Sequence, residues 1–243
     1  MQPGYAHNQG HNMGTAGTQD RAAVETADFL VKVYGWMSFG LFITAAVSMF
    51  LAMREDLIVS LVRSNMFHAL LLGELALVFI LSAAIHRMSA TTAGIMFFVY
   101  SALNGVTISI IFLIYTSASI ASTFVLCSAT FGAMSVYGYT TKSDLSSVGS
   151  FCYMALFGLI FASLFNIFFA SPAIYWISTY AGIAIFIGLT AWDTQKIKLM
   201  AQGGFGDEEL ADKASIMGAL ALYLDFINLF LYLLRLFGNR RRN

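Results

Sequence analysis

The sequence predicts an all-α polytopic membrane protein with seven transmembrane helices. Three observations carry this. Hydrophobic residues make up 58% of the 243 residues and charged residues only 11%, against about 45–50% and about 25% in soluble domains. Seven apolar stretches recur along the chain, each close to the roughly 20 helical residues that a hydrocarbon layer of about 30 Å requires. The connections between most of them are short. A soluble domain of this size has no interior able to hide so many long apolar runs. Membrane-spanning strands are excluded because the runs are too long and do not alternate apolar with polar residues. The formal net charge of zero gives no global basic bias toward nucleic acid.

Residues 1–28 differ from the rest. MQPGYAHNQGHNMGTAGTQD is rich in Gly, His, Asn, Gln and Thr and has no apolar periodicity, so it reads as a disordered cytoplasmic tail. It lacks the basic and apolar regions of a signal peptide. His7 and His11 alone are too few for a metal site. A transmembrane domain over 29–238 follows, with expected spans at 29–52, 66–86, 94–115, 119–140, 149–169, 173–195 and 214–237. Residues 239–243 form a short basic tail. Pro172 lies between the fifth and sixth spans, where it can end one helix and begin the next. Gly35, Gly40, Gly105, Gly132, Gly138, Gly158, Gly182 and Gly188 fall inside the spans and suit close helix approach in lipid. Cys127 and Cys152 lie in apolar runs, belong to no CxxC pair, and read as small packing residues.

Loop charges set the orientation. With the N-terminus in the cytoplasm, the inner segments carry Arg21, Lys32, Arg87, Lys142, Lys196, Lys198 and Lys213, and the outer loops carry Arg54 and Arg63. Seven spans would then place Arg240, Arg241 and Arg242 outside, against the rule.

Ionisable residues inside a span are costly, at about 2.5–3.5 kcal/mol on insertion scales, and usually face the bundle interior. Glu74, Asp193 and Asp225 are such residues. Asp225, Asn228, Tyr232 and Arg235 share one face of the last span, because their spacing is i, i+3, i+7, i+10. Gly218 and Ala221 continue that face, and the opposite side is Leu and Phe. This stripe puts the last helix against its neighbours, toward the bundle centre. Asp193 ends the sixth span beside Lys196 and Lys198, where pairing with a lysine at the interface competes with an inward role. Glu74 lies about 12 Å into the second span, and Arg87 closes that span. The sixth and seventh helices run antiparallel, with Asp193 within about two turns of the cytoplasmic interface and Asp225 about two to three turns from it, a mismatch that tilt or a water-filled pocket would have to close. Two carboxylates in one site cannot both ionise cheaply and would share a proton. They would also attract a cation. Calcium takes six to eight oxygens, so two carboxylates with an Asn228 amide suit transient binding better than a tight cage.

AWDTQKI at 191–197 and ALALYLDFINLFLYLLRLFG at 219–238 resemble the Bax inhibitor-1 family, and specifically its bacterial members, and the resemblance covers about 29–238. It implies a seven-helix bundle with the last helix surrounded by the others. It implies a pH-dependent calcium leak and, in eukaryotic members, suppression of cell death. The family's paired aspartates match Asp193 and Asp225, and its membrane-embedded glutamate looks like Glu74. Its gating arginine has no clean match here, with His86 and Arg87 nearby, and GGFGDEELAD lengthens the loop between the aspartates. Some bacterial relatives are thought to interact with a membrane-anchored ATP-dependent protease.

The resulting expectation is a non-enzymatic leak in a bacterial inner membrane, with the lipid bilayer, protons and calcium ions as partners and no cofactor beyond transiently bound calcium. The alternative is a regulatory protein that modulates a membrane protease or stress survival without transport, using residues 1–28 as its handle. An intramembrane aspartyl protease is disfavoured. The YD and GxGD pair is absent, and GFGD at 204–207 lies in a polar loop.

Overall fold

A computed structural model describes the backbone of residues 10–241 and the side chains of 21–241. The described chain is helical almost throughout: α1 (Gly10–Ala52), α2 (Glu55–Arg63), α3 (Met66–Ala84) with a 3₁₀ turn at Ile85–Arg87, α4 (Ala90–Ile108), α5 (Ile111–Ile114), α6 (Ser117–Thr140), α7 (Ser146–Phe169), α8 (Pro172–Gln202) and α9 (Glu208–Phe237). Among the described residues, seven helices are long and apolar enough to cross a membrane, the third formed by α4 and α5 together.

Several boundaries differ from expectation, each for a local reason. Helix α1 begins at Gly10, so residues 10–28, expected as disordered tail, are helical; 1–9, with His7, lie outside the described residues. RAAVETAD, just before the span, contains good helix formers and no breaker. The first connection contains α2, whose Glu55 and Asp56 at the start and Arg63 at the end complement the helix dipole. Its Ile58 is buried. The expected long loop between the aspartates is largely helix, since α8 runs to Gln202 and α9 begins at Glu208. Gly204 turns the chain at φ 74°, and the Asp207 carboxylate caps α9 by accepting from the Leu210 N–H at 2.7 Å. Phe205 packs on Phe29, ring centroids 4.7 Å apart, and Lys32 of α1 pairs with Asp212 of α9. Pro172 occupies the first turn of α8, directly after Ala170 closes α7 in the left-handed region.

Helix α9 packs against α1, α4, α6 and α8. Its most apolar stretch is 67% buried, against 17% for the α3 span and 11% for α7. Helix α3 packs mainly on α4, and α7 on α8. Their outward Leu, Ile and Phe side chains are exposed, as lipid-facing surfaces are. Of the glycines in the spans, Gly105 and Gly138 sit against the backbones of Thr44 and Ala191, whereas Gly35, Gly132 and Gly158 face open space. Close approach is therefore a property of particular crossings.

The C-terminal tail folds back onto the end of the third span. Asn239 accepts from the Thr116 N–H at 3.1 Å, the Arg241 N–H donates to Ile114 O at 2.9 Å, and Arg240 bridges to Tyr115. Arg241 also pairs with Glu55 at 2.7 Å. Glu55 follows the first span and Tyr115 ends the third, so the tail lies on the face opposite the N-terminal end of the first span. The unfavourable charge placement in the sequence is thus offset in part by a carboxylate and by backbone carbonyls.

Candidate functional site

Contacts with α6 and α7 fix the C-terminal half of α8, which carries Asp193. Gly138 of α6 lies against the Ala191 carbonyl, and Gly149 of α7 against the Trp192 ring. Gln195 then bridges the α6–α7 connection, donating to Ser143 O and accepting from the Leu145 N–H, both at 2.8 Å. Lys198 donates to Tyr139 O at 2.7 Å, and Lys196 stacks over Trp192. The lysines are thereby occupied elsewhere, and Asp193 makes no ion pair with them. Asp193 and Asp225 are each only 4% exposed.

The Asp193 and Asp225 carboxyls lie beside one another on one cavity, and two carboxylates so placed cannot both ionise cheaply. Among the described residues, no N–H or hydroxyl reaches Asp225 Oδ2, which is buried without a partner. Helix α8 packs on α9, and both acids reach the same cavity.

The pair lines a cavity of about 630 Å³ that also receives Glu74, Asn228 and Tyr232. Glu74 accepts from the Thr107 hydroxyl at 3.0 Å and from the Asn104 amide at 3.4 Å. The Asn104 carbonyl accepts from the Tyr223 hydroxyl at 3.1 Å, and that hydroxyl lies 2.6 Å from Thr44 Oγ1. Four helices, α3, α4, α9 and α1, are joined by this chain of polar groups. Sequence reasoning missed Asn104, Thr107, Tyr223 and Thr44. The available signal was that an embedded Glu74 needs donors, but nothing in the sequence chose which span supplies them.

The remaining expected residues divide. Asn228 donates its amide to Leu224 O at 2.8 Å, leaving its carbonyl oxygen available. Tyr232 lies against Gly182. Arg235 shares the α9 stripe but packs over the Tyr175 and Tyr232 rings and does not line the cavity. Arg87 is exposed in the turn after α3 and does not line the cavity. Cys127 and Cys152 are free and buried. Among the described residues no group of three or more acidic, His or Cys side chains stands close enough to hold a metal ion.

A family described as inhibitor of apoptosis-promoting Bax1 matches residues 26–242. Inner membrane protein YbhL of Escherichia coli K12 is 51% identical over 92% of this chain and 95% of its own length. An uncharacterized protein of Borreliella burgdorferi is 46% identical over 88% and 93%. An uncharacterized membrane protein of Streptococcus pyogenes is 39% identical over 86% and 92%. With seven membrane-spanning helices and the family match over nearly its whole length, the chain belongs to the Bax inhibitor-1 family of integral, multi-pass membrane proteins.

Proposed function

We propose that this protein is a pH-sensitive cation leak of the inner membrane, with its N-terminus in the cytoplasm and calcium as the cargo. The observation that carries this reading is that the buried Asp193 and Asp225 carboxyls line one cavity together. A pair that holds one proton can exchange it for a passing cation, and the shortage of further ligands favours release over retention. Glu74 and the free Asn228 carbonyl offer further oxygens along the same cavity. No chemical transformation is required of any of these groups, so the reading is non-enzymatic.

The test is calcium flux into dye-loaded liposomes across acidic to neutral pH. The native chain is expected to give a flux that varies with pH. Asp193→Asn and Asp225→Asn are each expected to flatten that dependence. An unchanged profile in both variants overturns the proposal, and absence of flux in the native chain turns attention to the regulatory alternative.

A further inference from the structure

The acidic cavity is open to one side. Leu71 and Leu75 of α3, and Ile160, Leu164 and Ile167 of α7, line it and are also exposed on the outer surface. Helices α3 and α7 each pack mainly on a different neighbour and form the two lips. In a bilayer these lips face hydrocarbon, so the cleft admits a molecule from the lipid phase.

Its walls and floor differ in chemistry. The walls are leucine and isoleucine. The floor carries Glu74, Asp193 and Asp225, and among the described residues no Lys, Arg or His lines the cavity. Asp225 Oδ2 is buried there with no donor from the described chain. The rings of Tyr100, Tyr153 and Tyr232 also line it, and aromatic faces attract ammonium groups. A volume of about 630 Å³ lies within the range of small-molecule sites, about 300–1,000 Å³.

We propose that the cleft between α3 and α7 is a binding site for a single-chain lipophilic amine, its ammonium head on the acidic floor and its alkyl tail between the two lips. Glu74, Asp193 and Asp225 are the anionic groups that meet the head, and charge-assisted hydrogen bonds of this kind are the strong ones. An anionic amphiphile is repelled by the three acids, and a neutral one gains no charge-assisted bond from them. The inference stands whether or not the cavity conducts ions.

The test uses the full chain in phosphatidylcholine nanodiscs and labelled dodecylamine as the probe, with empty nanodiscs subtracted. Saturable binding of one amine per chain is expected. Dodecanol and dodecanoate should compete roughly tenfold or more weakly, the scale of one charge-assisted hydrogen bond. Asp225→Asn should weaken the amine by a similar factor. Leu164→Trp, at an exposed lip, should block it while leaving the fold intact, as judged by an unchanged thermal midpoint without ligand. Equal binding of amine and alcohol overturns the site's charge selectivity and with it the proposal. Undiminished binding in either variant places the amine elsewhere and also overturns it.

Discussion

Gly138 lies so close to Ala191 that a β-carbon added to it would overlap the Ala191 carbonyl oxygen. The obstructing atom is backbone, so it cannot swing aside. Gly138→Ala must push α6 from α8 just where α8 presents Asp193, and overpacking of this kind costs about 1–3 kcal/mol. A lowered thermal midpoint in detergent is expected. Gly158→Ala is the control, because nothing lies within 4 Å of its added carbon; there the gain in helix propensity, up to about 1 kcal/mol, should appear instead.

Removing the Tyr223 hydroxyl leaves the Asn104 carbonyl without the donor it has at 3.1 Å. Tyr223 is fully buried, so water cannot replace the group. Tyr223→Phe is expected to destabilise by about 1–3 kcal/mol. Thr44 retains the Ser101 carbonyl at 2.8 Å. Asn104→Leu should therefore cost less when combined with Tyr223→Phe than in the native chain, a coupling that a double-mutant cycle of unfolding midpoints will read.

The ion pair of Arg241 with Glu55 is exposed on both sides, at 44% and 55%. Solvent screening limits such a pair to roughly 0.2–1 kcal/mol of coupling. Arg241→Ala should nevertheless cost more than Glu55→Ala, because the guanidinium also donates to Phe112 O at 3.0 Å. Raising the salt concentration should shrink the cycle's coupling toward zero while leaving that difference in place.

The tail's contacts with Thr116 and Glu55 place residues 239–241 on the face opposite the start of the first span. Fusions of a fluorescent protein, which matures in the cytoplasm, and of an alkaline phosphatase, active only outside it, should report opposite sides for the N- and C-termini. Finding both ends on one side would contradict a seventh complete crossing.

Much of this protein is legible without coordinates. Long apolar runs fix the number of spans because a bilayer leaves the backbone no partner but itself. Pro172 marks a junction through its missing N–H and restricted φ. The stripe of Asp225, Asn228 and Tyr232 follows from helical periodicity alone. Tertiary structure decided the rest. It turned Arg235 from the acids onto the Tyr175 and Tyr232 rings, and it left Arg87 exposed. It gave Glu74 its donors from α4, and linked them to Tyr223 and Thr44. It placed Asp193 and Asp225 on one cavity and seated α8 on Gly138 and Gly149. Periodicity states which residues share a face of one helix; which helix meets that face is fixed by close packing between segments far apart in the chain, and a sequence of near-uniform apolar spans does not encode that locally.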